Sequence, residues 1–502
     1  MPPARIRANR PARRLRCLAR EGPGDEGKQK MKIAVIGAGM VGMSSAMLLA
    51  RDGHEVTIVE RDPEPAPDPS AAWETWERRG VNQFRMAHFF LARFRTLIEA
   101  ELPELATALT AAGASRYSVL AHIPDEMKGG TRPGDERFDT LTGRRVIVEA
   151  VTARLAADTP GITIRRGVTV RGLIDGTPVR TGIPNVAGVE LEGGEHLGAD
   201  LVIDASGRRS ALPRLLDELG APLLREEADD SGFVYFGRHF RSEDGTHPAL
   251  FGSLKQDYGS IGILTLPADN GTWSVTLVAS SKDSVMRKVT DPKKWETVVR
   301  MLPLAAHWID AEPIDDAVAV MAKIEDRIRD YAPGGSPVAT GVLTVGDSWS
   351  CTNPSLGRGA SIGMMHAIAL RDLIRKSGDA DPWQLAGDWA EITRTELKPW
   401  FDATVRYDRH RLNEIRSLIS GRPYETDDAE WHSTRRLERA GTSDPDLLRA
   451  NVDVGMCLRR IDEVLADRLI VSKLEAMGSG AGSGGPGETL GPSRDDLLAA
   501  LS

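Results

Sequence analysis

The chain has 502 residues, which is enough for one large body with an inserted domain, and 41% hydrophobic with 27% charged residues is typical of a globular protein. A net charge of -8, with Lys and Arg scattered beside Asp and Glu, offers no basic surface and argues against nucleic acid as a partner. No run of about 18 apolar residues predicts a membrane span. Three dispersed cysteines argue against a disulfide framework, so a cytoplasmic location is expected.

The first thirty residues differ in composition from the rest, with seven Arg among the first twenty. They are interpreted as a disordered extension that precedes a natural start at Met31. An Arg-rich targeting peptide is the alternative.

A Gly-rich turn follows the first predicted strand, residues 32–36, and leads into a helix from about residue 40 to 51. In GAGMVG the first glycine permits the tight turn, the second lets backbone approach a pyrophosphate, and the third lets helix and strand pack closely. The next strand, EVTIVE, ends 18 residues after this motif on an acid suited to the ribose hydroxyls of a dinucleotide, which disfavours NADP here. The predicted contacts of this unit are Gly37, Ala38, Gly39, Met40, Gly42, Glu60 and Arg61.

The following region, from Trp73 to about Ala112, has a mainly helical pattern. Arg85 and His88 lie three residues apart and would share one helical face. The family resemblance given below implies that this segment packs beside a flavin, which makes both residues candidates for flavin contact. A satisfied polar helix start is an equal alternative. Val168, within a predicted strand region, completes the candidates of this half.

A second Gly-rich segment distinguishes FAD from NAD. Strand VLTV delivers Gly346 and Asp347, and a turn with Pro354, Gly357 and Gly359 opens the next helix. Asp347 would hydrogen-bond a ribitol chain, and the backbone N–H groups at the helix start would face the flavin pyrimidine. NAD has no ribitol, so FAD is the predicted cofactor. A simple capped helix after a strand is the alternative.

Four motifs together, GAGMVG, Glu60-Arg61, DASGRRS at 204–210 and GDSWSCTNPSLGRG at 346–359, resemble the superfamily of group A flavin monooxygenases over about residues 31–475. Residues 78–105 and 407–415 look closest to a bacterial branch with polyether-type epoxidases and related FAD enzymes. The resemblance implies an α/β fold. Its Rossmann-like FAD-binding domain would have a parallel sheet in three layers, with an inserted mixed β-sheet substrate domain and a C-terminal helical region.

The resemblance also implies the chemistry. The substrate would be attacked by a flavin C4a-hydroperoxide, with Pro354 near the C4a locus by motif position and with Asp204 and Gly207 at the cofactor. Catalytic side chains stay unassigned, because the protein supplies mainly positioning and a dry cavity. Tyr235 and His239 share one strand face on the substrate side but are interpreted mainly as structural.

One motif departs from the self-sufficient hydroxylases, which usually read Asp-Gly where this chain has Ser206-Gly207. The DASG sequence is similar to flavin halogenases, geranylgeranyl reductases and some epoxidases. NAD(P)H is therefore expected as the electron donor either directly or through a separate flavin reductase.

The predicted organisation alternates between the FAD-binding domain and other units. The segments are a disordered extension (1–30), the first FAD-binding segment (31–120), a crossing loop (121–140), the second FAD-binding segment (141–225), the substrate domain (226–334), the third FAD-binding segment (335–376), a C-terminal helical region (377–477) and a flexible tail (478–502).

The leading functional hypothesis is a monooxygenase that hydroxylates or epoxidises a small apolar organic substrate with molecular oxygen. A reductase of the geranylgeranyl reductase type is the main alternative. A halogenase is less favoured, because WETWERR lacks the Ile-Pro of the halogenase WxWxIP motif. A non-enzymatic FAD-binding protein is the remaining alternative. No metal site is predicted, since His122, His196 and His247 stand isolated in loops.

Overall fold

The computed structural model describes residues 30–81, 83–378, 381–477 and 491–502. The predicted N-terminal extension lies outside the described residues except for Lys30.

The described strands are, in chain order, β1 (Lys32–Ile36), β2 (Glu55–Glu60), β3 (Ser115–Ser118), β4 (Asp139–Thr142), β5 (Ile162–Arg166), β6 (Val170–Asp175), β7 (Val186–Leu191), β8 (His196–Gly198), β9 (Leu201–Asp204), β10 (Arg225–Asp230), β11 (Phe233–Arg241), β12 (Lys255–Tyr258), β13 (Ile261–Pro267), β14 (Thr272–Ser280), β15 (Glu312–Pro313), β16 (Ala319–Met321), β17 (Glu325–Asp330), β18 (Val342–Thr344) and β19 (Ser350–Cys351). The described α-helices are α1 (Met40–Arg51), α2 (Ala72–Thr75), α3 (Ala92–Glu101), α4 (Pro103–Ala111), α5 (Asp125–Lys128), α6 (Arg145–Asp158), α7 (Leu212–Glu218), α8 (Pro292–Arg300), α9 (Gly359–Ser377), α10 (Pro382–Ile392), α11 (Lys398–Ser420), α12 (Ala429–Ala440), α13 (Pro445–Gly455), α14 (Ile461–Leu465), α15 (Arg468–Ala476) and α16 (Arg494–Ala500).

A parallel sheet forms the centre of the molecule, with the order β18-β9-β1-β2-β5 in the portion of the chain that the structure describes. Its strands are apolar on both faces, as a sheet covered on both sides requires. Ile33 and Val35 of β1 join one core with helices α1, α3, α6 and α9, whereas Ala34 joins another with α7 and the small β6-β7-β8 sheet. The result is the predicted three-layer α/β arrangement.

An antiparallel sheet inserted between β9 and β18 contains the ladder β12-β13-β14-β11-β15, with β16 also paired to β11. Alternation along β11 sends Val234 and Phe236 to an outer core that contains Trp295 and Trp308, while Phe233 and Tyr235 face inward. The inserted β-sheet of the fold prediction is confirmed, but its described strand pairs are all antiparallel and not mixed.

The C-terminal region is helical, as predicted, and its longest helix in the described part of the chain, α11, reaches both halves of the molecule. Phe401 and Val405 pack beside Trp349, and Leu412 and Ile415 pack beside the inner face of β11. This helix therefore closes the space between the two sheets. Among the described residues, no helix combines the length and the apolar character that a membrane crossing needs.

Two segment predictions were wrong. Residues 76–81 and 83–91 form turns and irregular backbone instead of helix between α2 and α3, and Arg78 turns inward there to reach acids of the sheet layer. The end of the predicted flexible tail forms α16, which is capped by Ser493 and buries Leu497 in the outer core of the inserted sheet. The Gly-rich composition of the tail hid this short amphipathic helix.

Candidate functional site

A cavity of about 1280 Å³ lies where the carboxyl end of the parallel sheet meets the inserted sheet and the C-terminal helices. Its lining includes Gly37 after β1, Tyr235 on β11 and Val452 on α13. The volume exceeds the roughly 300–1,000 Å³ that is usual for a single small ligand. It can therefore hold a large ligand together with a second molecule.

The turn after β1 shows why its three glycines are needed. A Cβ at Gly37, where φ is +104°, would lie 2.7 Å from the carbonyl oxygen of Ala205, and a Cβ at Gly42 would lie 2.2 Å from that of Gly37. Gly39 has open space on its side-chain side, and no side-chain cap occupies the start of α1. This helix N-terminus presents free N–H groups to an anion in the cavity.

Glu60, at the end of β2, supports this turn. Its Oε2 accepts a hydrogen bond of 2.8 Å from the backbone N–H of Ala38 and one of 2.5 Å from Arg78, and its Oε1 accepts one from the N–H of Asp62. Glu60 also lines the cavity, where a ribose could reach it. Its contact with a ribose stays a prediction.

Arg78, which the sequence analysis missed, is the centre of a buried charge cluster. Its guanidinium lies 2.5 Å from Glu60, 2.8 Å from Glu149 and 3.3 Å from Asp62, and it also donates to the carbonyl of Ala38. Although burial opposes the charge, Glu149 and Glu60 raise the pKa of the Arg78 guanidinium. The acids therefore hold it charged, and the cluster ties residues 76–81 to the Gly-rich turn.

The DASG loop after β9 is organised by its own acid. Asp204 accepts hydrogen bonds from the N–H and Oγ of Ser206 and from Oγ of Ser210. Burial raises the pKa of this carboxyl. Asp204 thus shapes a loop whose Gly207 (φ +83°) and Arg208 line the cavity.

The second Gly-rich segment presents an acid to the same cavity. The backbone N–H of Gly346 donates to His366 Nδ1 at 3.0 Å, and burial lowers the pKa of this imidazole to about 3, so it remains a neutral acceptor. Asp347 extends an exposed side chain from the cavity wall. Because the cavity lies inside the protein, desolvation raises the pKa of this carboxyl. The positive charges of Arg208 and Arg145 oppose that rise.

The loop that contains Pro354 is held by a buried polar network. Tyr235 donates to Asn353 Oδ1 at 2.8 Å, Asn353 Nδ2 donates to Asp408 Oδ2 at 3.2 Å, and Ser355 Oγ donates to Asp408 Oδ1 at 2.5 Å. Burial raises the pKa of Asp408 to about 7. No sequence motif indicated that Asp408, within α11, reaches this loop.

Most of the predicted contact residues meet at this cavity. Those in its lining are Gly37, Gly39, Met40, Glu60, Arg61, His88, Val168, Asp204, Gly207, Gly346, Asp347, Pro354, Gly357 and Gly359. Ala38 and Gly42 lie behind the lining, where they support the turn.

Arg85 lies outside this lining. It donates to the carbonyl of Trp76 and lies 5.1 Å from the centre of the Trp73 ring, and its contact with a flavin stays a prediction. Arg85 and His88 also do not share a helical face, because the backbone is not helical there. His88 does reach the cavity, where Arg145 Nη1 lies 3.3 Å from its Nε2, and burial lowers the pKa of His88 to about 3.

The far wall of the cavity is largely apolar. Phe89, Leu448, Val452 and Met456 line it, and all four belong to one hydrophobic cluster with Trp400. Within the described ranges, no group of three or more His, Cys, Asp or Glu side chains is arranged to hold a metal ion.

The chain was compared with protein families, with curated proteins and with solved structures. The family model described as FAD binding domain matches residues 30–386, which include both Gly-rich segments. Among curated proteins, the chain is 27% identical to Protein Rv3254 of Mycobacterium tuberculosis over 404 residues, which cover 75% of this chain and 79% of that one.

Solved structures share the fold at low sequence identity. The flavin-dependent brominase Bmp2 superposes with a TM-score of 0.58 at 14% identity and covers 89% of this chain and 99% of its own. PqsL of Pseudomonas aeruginosa, named a probable FAD-dependent monooxygenase, superposes with a TM-score of 0.54 at 16% identity, over 78% of this chain and 96% of its own. At these identities the likeness concerns the fold.

Proposed function

This chain belongs to the FAD binding domain family, and from that premise we propose that it is an FAD-dependent monooxygenase that hydroxylates or epoxidises an apolar organic substrate. Membership confirms the predicted FAD cofactor and the predicted class of FAD-dependent oxidoreductase. The observation that carries the finer proposal is the continuity of the cavity, which runs from the Gly37 turn to the apolar wall at Met456.

The residues of the cavity fit FAD. Gly39 leaves room for a close approach to the uncapped start of α1, which suits a pyrophosphate. Asp347 offers a carboxylate to a ribitol chain, and the start of α9 at Gly359 has no side-chain cap, which leaves N–H groups for the flavin pyrimidine. FAD, when bound and reduced by an electron donor, would pass those electrons to dioxygen.

The protein's own role is to position the substrate and to exclude water. The apolar wall formed by Phe89, Leu448, Val452 and Met456 packs against a nonpolar body and keeps the reacting centre dry. The network from Tyr235 through Asn353 to Asp408 fixes the loop of Pro354, which faces that space. The epoxidase branch and the electron donor, NAD(P)H directly or a separate flavin reductase, stay predictions.

The test follows the fate of oxygen. The purified FAD-loaded protein is supplied with NADPH, with and without a flavin reductase, and with heavy-isotope dioxygen and a panel of aromatic and isoprenoid compounds. A monooxygenase incorporates one heavy oxygen atom into a product, which mass spectrometry detects. Addition of hydrogen without oxygen would support the reductase, and a product that gains a halogen atom only when halide is added would support the halogenase. A protein that does not bind FAD would contradict the whole proposal.

A further inference from the structure

One buried cation of the cavity has an unusual environment. Arg358 is the N-cap residue of α9, the whole residue is only 6% exposed, and it lines the cavity. Its Nη1 donates to Thr404 Oγ1 at 3.1 Å, and its guanidinium lies 5.7 Å from the centre of the Trp400 ring. Its buried Nε has no hydrogen-bond partner among the described residues.

No carboxylate pairs directly with this charge. Among the described residues, no Asp or Glu oxygen lies within 4.0 Å of the Arg358 guanidinium. Burial lowers the pKa of Arg358, and the more distant charge of Asp408 only partly opposes that shift. Two other cations of the same cavity, both on C-terminal helices, are paired: Arg411 with Asp257 at 3.3 Å and Arg435 with Glu438 at 2.7 Å. A buried charge without a partner destabilises the free protein, so an anion that arrives with a ligand would offset this cost.

The surroundings define the rest of that ligand. Trp400, beside the guanidinium, belongs to the same hydrophobic cluster as Phe89, Leu448 and Met456 of the cavity wall. A nonpolar body would therefore lie next to the cation. The FAD pyrophosphate is expected elsewhere, at the start of α1 by Gly39.

We propose that Arg358 binds the anionic oxygen of the substrate, which makes the substrate class an apolar organic acid. This inference rests on the proposed function, since it names the substrate class of the same cavity. A guanidinium can bind a carboxylate through two parallel N–H donors, and such charge-assisted pairs are strong where water is excluded. Arg358 would thus decide both which molecule binds and which end of it faces the apolar wall.

The test compares acids with alcohols of the same shape. Benzoate, phenylbutyrate and decanoate, each with its alcohol counterpart, are titrated calorimetrically into the FAD-loaded protein, its Arg358→Met and Arg358→Lys variants, and Arg416→Met. Arg416 is an exposed cation of α11 and serves as the matched control. We expect at least one acid to bind about tenfold or more tightly than its alcohol, a preference that Arg358→Met abolishes, Arg358→Lys partly keeps and Arg416→Met leaves intact.

A stability measurement separates recognition from folding. Because the unpaired charge is lost, the melting temperature of unliganded Arg358→Met should equal or exceed that of the parent protein. Failure of every acid to bind, or an unchanged acid preference in Arg358→Met, would overturn the proposal. A changed flavin midpoint potential with unchanged acid binding would assign the guanidinium to the flavin instead. Calorimetry reads binding and isotope incorporation reads oxygenation, so this inference and the proposed function can fail separately.

Discussion

Each end of the cavity contains a buried arginine, and the two arginines differ in whether acids of the protein pair with them. At the dinucleotide end, Arg78 is paired with Glu60, Asp62 and Glu149 of the protein itself. At the substrate end, Arg358 has no acid within ion-pair distance among the described residues, and Asp408 is hydrogen-bonded only by neutral groups. The difference indicates a division of labour. Arg78 holds a loop and is balanced by acids of the protein, whereas Arg358 is left for a ligand although Arg411 of the same cavity is paired with Asp257.

The largest expected effect comes from removing the cation of the Arg78 cluster. Arg78→Met would leave Glu60 and Glu149 buried without their shared cation. Removal of one partner of a buried ion pair typically costs about 3–5 kcal/mol, so we expect the free energy of unfolding to fall by that order. Urea unfolding measures it. Arg79→Met, which removes an exposed neighbouring cation, is the control, and equal stability of the two variants would show that the cluster does not hold the turn.

A second prediction sharpens the role of backbone at the dinucleotide end. In Gly42→Ala the added Cβ would meet the carbonyl oxygen of Gly37 at 2.2 Å, so α1 must shift away from the strand. Such overpacking costs about 1–3 kcal/mol. Gly39→Ala has open space for its Cβ and should keep the stability of the parent but lose FAD affinity, because the methyl group narrows the approach to the N–H groups. Unfolding and FAD titration of both variants separate the two effects, and loss of stability in Gly39→Ala alone would contradict this assignment.

The sequence predicted the strand, turn and helix around the first Gly-rich motif well because their requirements are local. The spacing of Gly37, Gly39 and Gly42 follows from the geometry of one strand, one turn and one helix. Asp347 could be placed at the cavity for the same reason, since it lies three residues after the apolar strand β18, and its contact with the cofactor stays a prediction. The role of these residues depends on the backbone next to them in sequence, and a short motif is enough to reveal such a local requirement.

The substrate end and the charge cluster could not be read in this way. Arg78 pairs with Glu149, 71 residues away, and Asp408 reaches Ser355 across 53 residues. Such contacts depend on how distant elements pack, and neither pair carries a characteristic spacing. Arg85 shows the opposite failure of local reasoning, because a helical pattern predicted a shared face with His88 that the non-helical backbone of residues 83–91 does not have.

A third prediction concerns the acid at the dinucleotide end that faces the cavity. Asp347→Asn keeps the shape of the side chain but removes its charge, and hydrogen bonds to charged groups contribute about 1.5–3 kcal/mol. We expect the FAD dissociation constant to rise about tenfold or more, with little change in folding. Fluorescence titration of the flavin-free protein measures it, and Asp217→Asn, an exposed acid of α7, is the control. An unchanged FAD affinity would remove Asp347 from the cofactor site.

The smallest expected effect tests whether Asp408, at the substrate end of the cavity, is protonated at neutral pH. Burial raises its pKa to about 7, with Asp326 raising it further and Ser355, Asn353 and Lys255 opposing the shift. The folded state therefore keeps a proton that the unfolded chain releases near pH ~3.9. This contribution to stability is complete below that pH and is lost as the pH rises through about 7, by about 1.4 kcal/mol between roughly pH 6 and 8.

Asp408→Asn removes the titrating carboxyl. The free energy of unfolding of this variant should therefore fall less between pH ~6 and ~8 than that of the parent protein. Urea unfolding at several pH values measures the slope, with Asp402→Asn, an exposed acid of α11 paired with Lys398, as the control. If parent and Asp408→Asn have the same slope, Asp408 is ionised at neutral pH. Its charge would then be held by Ser355, Asn353 and Lys255, and the substrate end would contain a satisfied anion beside the unpaired cation of Arg358.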